Sequence, residues 1–92
     1  LTSQMKRAAI SITSNIAEGF SRYHLAETMM FYRNARGSLT EVKSHLYVVL
    51  DQGFITQDVF DKLRLQIDEI GKMLNGLLKA SKNYRYQLSS KL

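Results

Sequence analysis

Basic side chains form the sharpest chemical cluster in the first half of this sequence, and the group that suits them best is phosphate. The cluster is Lys6, Arg7, Arg22, Arg33 and Arg36. Arg33 and Arg36 are one helical turn apart and share a face if this segment is helical. Guanidinium and ammonium groups bind phosphate oxygens. Tyr23 and Tyr32, nearby in the sequence, could stack on unpaired bases or belong to the core or to an interface. This combination favours binding of nucleic acid.

Ion pairing within the protein is the alternative role for the same arginines. Glu18 and Glu41 lie among them in the sequence, and a buried carboxylate is tolerated when a cation pairs with it. We expect Arg7 and Arg36 to be those partners, so that they serve the fold. Both roles stay open for the remaining three residues, which are Lys6, Arg22 and Arg33.

A second basic cluster lies near the end of the sequence. It contains Lys79, Lys82 and Arg85, with Tyr84 and Tyr86 interleaved. Residues 79–92 include no acidic residue, whereas the whole chain has 13 basic and 8 acidic residues and a net charge of +5. An anionic partner fits this asymmetry. The alternative is the solvated end of a helix.

Catalysis is not indicated by any spacing in the sequence. The side chains that could act as nucleophile, acid or base are Ser11, Ser14, Asn15, Glu18, His24, Glu41 and His45. They show no nucleophile-elbow, phosphate-loop or zinc-ligand spacing, and the absence of cysteine excludes disulfides and thiolate metal sites. We therefore expect no enzyme activity, no cofactor and no metal. Ser11, Ser14 and Asn15 are expected to serve packing.

Helical periodicity accounts for almost the whole chain, which contains no proline. In the first segment, at about residues 2–18, Met5, Ala8, Ile12 and Ile16 repeat at helical spacing. Gly19 is expected to end this helix. Ala and Ser line much of its remaining surface, which suits close packing against another helix.

Two longer helices are predicted at about residues 25–51 and 56–80. Their core stripes are Phe31, Ala35, Leu39, Val42, Leu46 and Val49, then Leu63, Ile67, Ile70, Leu74 and Leu77. Thr56 is a suitable N-cap for the third helix. Gly37 costs ~1 kcal/mol relative to Ala inside a helix, so we expect a neighbouring helix to pack closely against it. Residues 1–80 are predicted to be one bundle domain, and residues 81–92 a basic helix end or tail.

Two separated blocks of residues carry a family resemblance. The first contains Arg7, Ala8, Ala9, Ser11, Ile12, Ser14, Asn15, Ile16, Ala17, Glu18, Gly19 and Arg22, and the second contains Ala35, Arg36, Gly37, Ser38, Leu39 and Glu41. In this order they resemble the four-helix-bundle family encoded in intervening sequences of bacterial 23S rRNA genes. The resemblance covers most of residues 1–80. Thr13 departs from the family, which usually has proline at that position.

This resemblance implies an all-α fold: an up-and-down four-helix bundle that assembles into a ring-shaped homopentamer. The family's first helix lies upstream of the segment equivalent to Leu1, so the chain is expected to supply about three of the four helices. Structural roles are implied for Arg7, Asn15, Glu18, Gly19, Arg36, Gly37 and Glu41. A distantly related group, the accessory proteins of diversity-generating reverse transcriptases, forms basic pentameric barrels that bind nucleic acid.

The function expected from these observations is that of a non-catalytic oligomeric scaffold that binds RNA or other nucleic acid. Its binding residues would be Lys6, Arg22, Arg33, Lys79, Lys82 and Arg85. The alternative is a purely structural or protein-interaction homo-oligomer with no nucleic-acid role. No apolar run is long enough to cross a membrane and no signal peptide is visible, so we expect a cytoplasmic protein without a membrane partner. We also expect no small-molecule substrate. The family resemblance implies a bacterial protein.

Overall fold

The computed structural model describes the backbone of residues 2–90, with the side chains in this range except those of residues 2, 85, 86, 89 and 90. The described backbone forms three α-helices and no strand. They are α1 (Thr2–Ser21), α2 (Leu25–Asp51) and α3 (Gln57–Ser90). The predicted all-α class is therefore confirmed.

The helices are antiparallel neighbours along the chain, and α2 lies in the middle. Ser11 of α1 meets Ser38 of α2, while farther along α1 the Gly19 backbone meets Tyr32. On the other side, Lys43 of α2 pairs with Asp68 of α3. Among the described residues α1 contacts α2 and α2 contacts α3, but α1 and α3 do not pack against each other. The three helices therefore form an open layer, with α2 in the centre and α1 and α3 on either side of it.

The core lies along both sides of α2 and follows the predicted stripes. Buried members are Ala8, Ile12, Ala35, Leu39, Leu46, Phe60, Ile67 and Leu74, and a second cluster contains Met29, Tyr32 and Leu78. The prediction missed Phe60 and Leu78, and it placed Leu63 and Leu77 in the core although both side chains are more than one-third exposed. The true seam of α3 is therefore rotated slightly from the predicted one.

Helix ends differ from the prediction at two places. Gly19 does not end α1, which continues to Ser21, and α3 continues ten residues past residue 80 to Ser90. Thr56 does cap α3, since its Oγ1 accepts a hydrogen bond of 3.3 Å from the Val59 N–H. Gly53 reverses the chain before it with a φ of +77°, a conformation that glycine adopts without a Cβ clash.

Close helix approach occurs at Gly19 and not at Gly37. A Cβ added to Gly19 would lie 2.8 Å from a ring carbon of Tyr32 and 3.1 Å from the Phe31 Cβ. A Cβ added to Gly37 would meet no atom of the described residues within 4 Å. The expected packing of another helix of this chain against Gly37 is therefore wrong, because that position faces outward on α2.

One long side of the layer carries uncovered apolar side chains, which we call the open apolar face. On α3 it consists of Val59, Leu63, Ile70, Met73 and Leu77, which share one side by helical spacing. All of them except the half-buried Ile70 are exposed. On α1 the half-buried Ile16 and the exposed Phe20 continue this face. None of the helices in the described part is long and apolar enough to cross a membrane.

The dimensions also describe an open arrangement. The accessible surface is 6725 Å², whereas a compact monomer of this mass exposes about 5,500 Å². The radius of gyration is 15.8 Å, compared with about 12 Å for a globular chain of this length. Surface of interface size is thus left for another element to cover.

Candidate nucleic-acid interface

Three of the predicted phosphate-binding cations meet at one shallow cavity, which we call the cation pocket. Arg33 comes from the first half of α2, and Lys79 and Lys82 come from the second half of α3. The antiparallel register of these helices brings the two segments together, because each step along α2 is matched by a step back along α3. The cavity has a volume of about 350 Å³, and Arg36 lines its edge.

The cations of this pocket are available for a partner. Arg33, Lys79 and Lys82 are exposed, and none of the ion pairs formed by described side chains includes them. None of the described residues that line the pocket is acidic, and its apolar base is formed by Met29 and Leu78. Concentrated positive charge without an internal counter-ion is the electrostatic signature of a phosphate contact.

The other predicted contacts do not join this pocket. Lys6 lies exposed on α1. Arg22 is held by Glu18 in an ion pair and stacks over the Phe31 ring at 5.2 Å. The side chain of Arg85 lies outside the described residues. Tyr32 is only 3% exposed, so the expectation that it stacks on bases is wrong.

The predicted arginine–glutamate pairs are also wrong in their partners. Glu18 pairs with Arg22, one turn along the same helix, and not with Arg7 or Arg36. Arg36 instead donates a hydrogen bond of 3.1 Å from Nη1 to the Asn75 Oδ1. This contact links α2 to α3, so Arg36 has a structural role, but its partner is Asn75 and not a glutamate.

A serine from each of the two sequence blocks joins α1 to α2, and an asparagine supports the serine of α1. The hydroxyl oxygens of Ser11 and Ser38 lie 2.8 Å apart in a hydrogen bond. Asn15 Nδ2 donates to the Ser11 carbonyl oxygen at 2.8 Å and to the Ser11 Oγ at 3.0 Å. Ser11 thus contributes to the contact between α1 and α2, whereas Asn15 bonds within α1 and not to a neighbouring helix or the turn at Gly19. Ser14, for which a packing role was also expected, is exposed.

A charged cluster clamps α2 to α3 on the side opposite the open apolar face. Lys43 Nζ donates a hydrogen bond of 2.9 Å to the Asp68 Oδ1, and Arg64 lies 3.9 Å from the same carboxylate. The hydrogen bond from Lys43 lowers the pKa of Asp68 below its ordinary value of 3.8; partial burial opposes this, and the charges of Lys43, Arg64 and Lys72 add to the lowering. The carboxylate therefore stays ionised.

Sequence reasoning found the cations but missed where they converge. Arg33 and Lys79 are far apart in the chain, and only the helix register places them side by side. It also missed a polar cleft between α1 and α2, lined by Gln4, Arg7, Ala8, Ser11, Ser38, Glu41 and His45. The sequence did hold one indication of this cleft, because four of its lining residues lie in the two family-like blocks: Arg7, Ser11, Ser38 and Glu41. Among the described residues no three His, Asp or Glu side chains are grouped to hold a metal ion.

These features define a small all-helical protein with an open apolar face and an unpaired cation pocket. Residues 1–76 match the profile of the 23S rRNA-intervening sequence protein family, and the chain belongs to that family. No curated protein matches the chain. The family is named for its gene context, and that name specifies no biochemical activity.

Proposed function

We propose that this protein is a non-catalytic oligomeric scaffold that binds RNA through the cation pocket. The observation that carries the proposal is the convergence of Arg33, Lys79 and Lys82 from two distant segments, without an acidic partner. Each cation that neutralises a phosphate releases condensed counterions, which supplies affinity without sequence specificity. We expect an RNA-binding protein of this kind to act in the cytoplasm.

Oligomerisation is the second part of the proposal, and the open apolar face supports it. In a four-helix bundle the missing helix would lie between α1 and α3, where the described helices leave a gap. A helix exchanged from a neighbouring copy would fill that gap, complete an up-and-down bundle and join the copies through the open apolar face. Homopentamer assembly would then repeat the cation pocket around a ring, and weak contacts would add through avidity.

A structural oligomer without a nucleic-acid role is the competing function. The open apolar face favours it independently of any charge, since uncovered apolar side chains of this extent mark an interaction site. Neither function needs catalysis. The cation pocket separates them, because only RNA binding requires its charge.

Charge neutralisation at the pocket tests the proposal. Arg33→Gln, Lys79→Gln and Lys82→Gln together should weaken RNA binding and flatten its salt dependence, by about 0.7 to 0.9 in log–log slope for each lost phosphate contact. The control combines Lys62→Gln, Arg64→Gln and Lys72→Gln, which removes the same charge from other exposed positions of α3. Folding of both variants is checked by circular dichroism.

The two variants give distinct outcomes. The proposal predicts a large loss for the pocket variant and near wild-type binding for the control. Equal losses would mean that binding follows net charge alone and that the pocket has no special role. Failure of the wild-type protein to retain RNA at ~50 mM salt, where phosphate contacts are strongest, would leave the structural oligomer as the function.

A further inference from the structure

The polar cleft between α1 and α2 is the strongest remaining candidate for a site. Gln4, Arg7 and Ser11 line it from α1, and Ser38, Glu41 and His45 line it from α2. Its volume is about 430 Å³, which is enough for a planar base. Arg7 points to the side of α1 roughly opposite Ile16 of the open apolar face, so the cleft stays open when that face is covered.

Opposite charges line this cleft without pairing. Arg7 and Glu41 share its wall, yet no ion pair within 4.0 Å joins them, although Glu18 with Arg22 and Lys43 with Asp68 do form such pairs elsewhere in the described structure. A ligand with both hydrogen-bond acceptors and donors could fill the space between them, accepting from the guanidinium and donating to the carboxylate.

A buried imidazole nitrogen gives a second reason to expect a ligand. Nε2 of His45 is shielded from solvent and has no hydrogen-bond partner among the described side chains. Its nearest charged neighbour is the Glu41 Oε1 at 3.6 Å, beyond hydrogen-bond distance. Most buried polar atoms in folded proteins are satisfied. A ligand group within hydrogen-bond distance of both Glu41 and His45 would satisfy this nitrogen.

The hydroxyl groups of the cleft are already used. Ser11 and Ser38 bond to each other, and Asn15 bonds to Ser11. This network fixes the wall and leaves three kinds of free group. Arg7 and Gln4 can donate, the Glu41 carboxylate can accept, and His45 can do either. The ligand must therefore present hydrogen-bond donors beside acceptors along one edge.

We propose that this cleft binds a guanine base, with the Glu41 carboxylate accepting from the base N1–H and N2 amino group and Arg7 donating to O6 and N7. Arginine is the usual partner of the guanine O6 and N7 atoms. Proteins commonly read unpaired RNA bases along their Watson–Crick and Hoogsteen edges. Adenine presents an acceptor at N1 and lacks the N2 amino group, so it cannot satisfy Glu41 in the same way.

This inference rests on the proposed RNA-binding function and adds base preference to it. Arg33 of the cation pocket and Glu41 of the cleft are eight residues apart on α2, or about 12 Å along the helix axis. A short single strand could place phosphates at the pocket and one base in the cleft. The pocket would then supply affinity, and the cleft would supply preference.

Short oligouridylates with one central guanine, adenine or inosine are the probes that test the cleft. The wild-type protein should bind the guanine probe roughly tenfold more tightly than the adenine probe, with inosine between them because it lacks the N2 amino group. Glu41→Gln and, separately, Arg7→Gln should reduce this preference to about twofold or less. Glu27→Gln, which removes an exposed carboxylate of α2 outside the cleft, should preserve it.

Two further measurements distinguish failure of the guanine assignment from failure of the RNA-binding proposal. The Arg33, Lys79 and Lys82 variant should lose affinity for all three probes and keep their ratio. Guanosine monophosphate, but not adenosine monophosphate, should shift the His45 ring signals in the NMR spectrum. Equal wild-type affinity for the guanine and adenine probes would overturn the guanine assignment and leave RNA binding intact, whereas no binding of any probe would overturn both. A change in oligomer mass in Glu41→Gln without a change in base preference would assign the cleft to a contact between copies.

Discussion

At the scale of single residues, Gly19 and Gly37 show how similar positions in a sequence can have different surroundings. Both lie inside helices and both belong to the family-like blocks. The Gly19 backbone approaches the Tyr32 ring, whereas Gly37 faces open space. Spacing alone assigned the close contact to Gly37, because Gly19 also fits the pattern of a helix end. Only the packed structure distinguishes the two roles.

Alanine substitutions at these glycines should have opposite effects. Gly19→Ala should destabilise the fold by about 1–3 kcal/mol, since the new methyl group overpacks against Tyr32 and Phe31. Gly37→Ala should stabilise it by about 0.5–1 kcal/mol, the gain in helix propensity at an unobstructed position. Thermal melts of the two variants provide a matched comparison. A stabilised Gly19→Ala would contradict the close approach.

Asp68 gives a pH-dependent prediction. Its lowered pKa means that the ionised carboxylate stabilises the fold above pH 3.8, and this stabilisation is lost as the pH falls through the lower folded value. Wild-type protein should therefore exceed Asp68→Asn in stability near neutral pH, and the gap should narrow in acid. Chemical unfolding over a series of pH values measures it. Asp51→Asn, outside the Lys43 cluster, is the control, and a gap that is constant into acid would refute the role of Asp68.

At the scale of helices, periodicity was sufficient to predict type and number in the described chain. The three predicted segments match α1, α2 and α3 apart from their ends. Periodicity could not choose between adjacent apolar residues such as Leu77 and Leu78, because a small rotation of α3 exchanges them. Nor could it predict the cation pocket, since that site depends on how α2 and α3 are aligned. The sequence identified each cation of the pocket, but it could not show that these side chains lie close together in the fold.

Two leucines of α3 test the assigned rotation. Leu74 is 1% exposed and lies in the main core cluster, so Leu74→Ala should cost about 2–5 kcal/mol. Leu65 is 63% exposed, and Leu65→Ala should change stability by no more than about 0.5 kcal/mol. Denaturant titrations compare the same substitution at two positions of one helix. Similar losses at both would show that the helix is rotated from its assigned orientation.

At the scale of the whole molecule, the open apolar face and the cation pocket are separate features. The face predicts association by burial of apolar surface, and the pocket predicts binding by charge. Leu63, Met73 and Leu77 lie on the face, and none of them lines the pocket. Substitutions on the face should therefore reduce association without affecting RNA binding, and substitutions in the pocket should reduce RNA binding without affecting association.

Polar substitution of the face tests association. Leu63→Gln, Met73→Gln and Leu77→Gln together should shift the protein toward monomer at micromolar concentration, because apolar contacts dominate the centre of such interfaces. Leu65→Gln, on another side of α3, is the control and should leave the mass unchanged. Light scattering gives the mass of each. A wild-type monomer would contradict the oligomer proposal at the outset.

The central claim is that one protein both oligomerises and binds RNA, and molar mass measured in solution with and without RNA tests it most directly. Light scattering coupled to size exclusion should show a multi-chain species without RNA. With RNA at low salt, protein and RNA should elute together at a higher mass, and raised salt should separate them without dissolving the oligomer. Elution of RNA apart from an intact oligomer at low salt would contradict the claim.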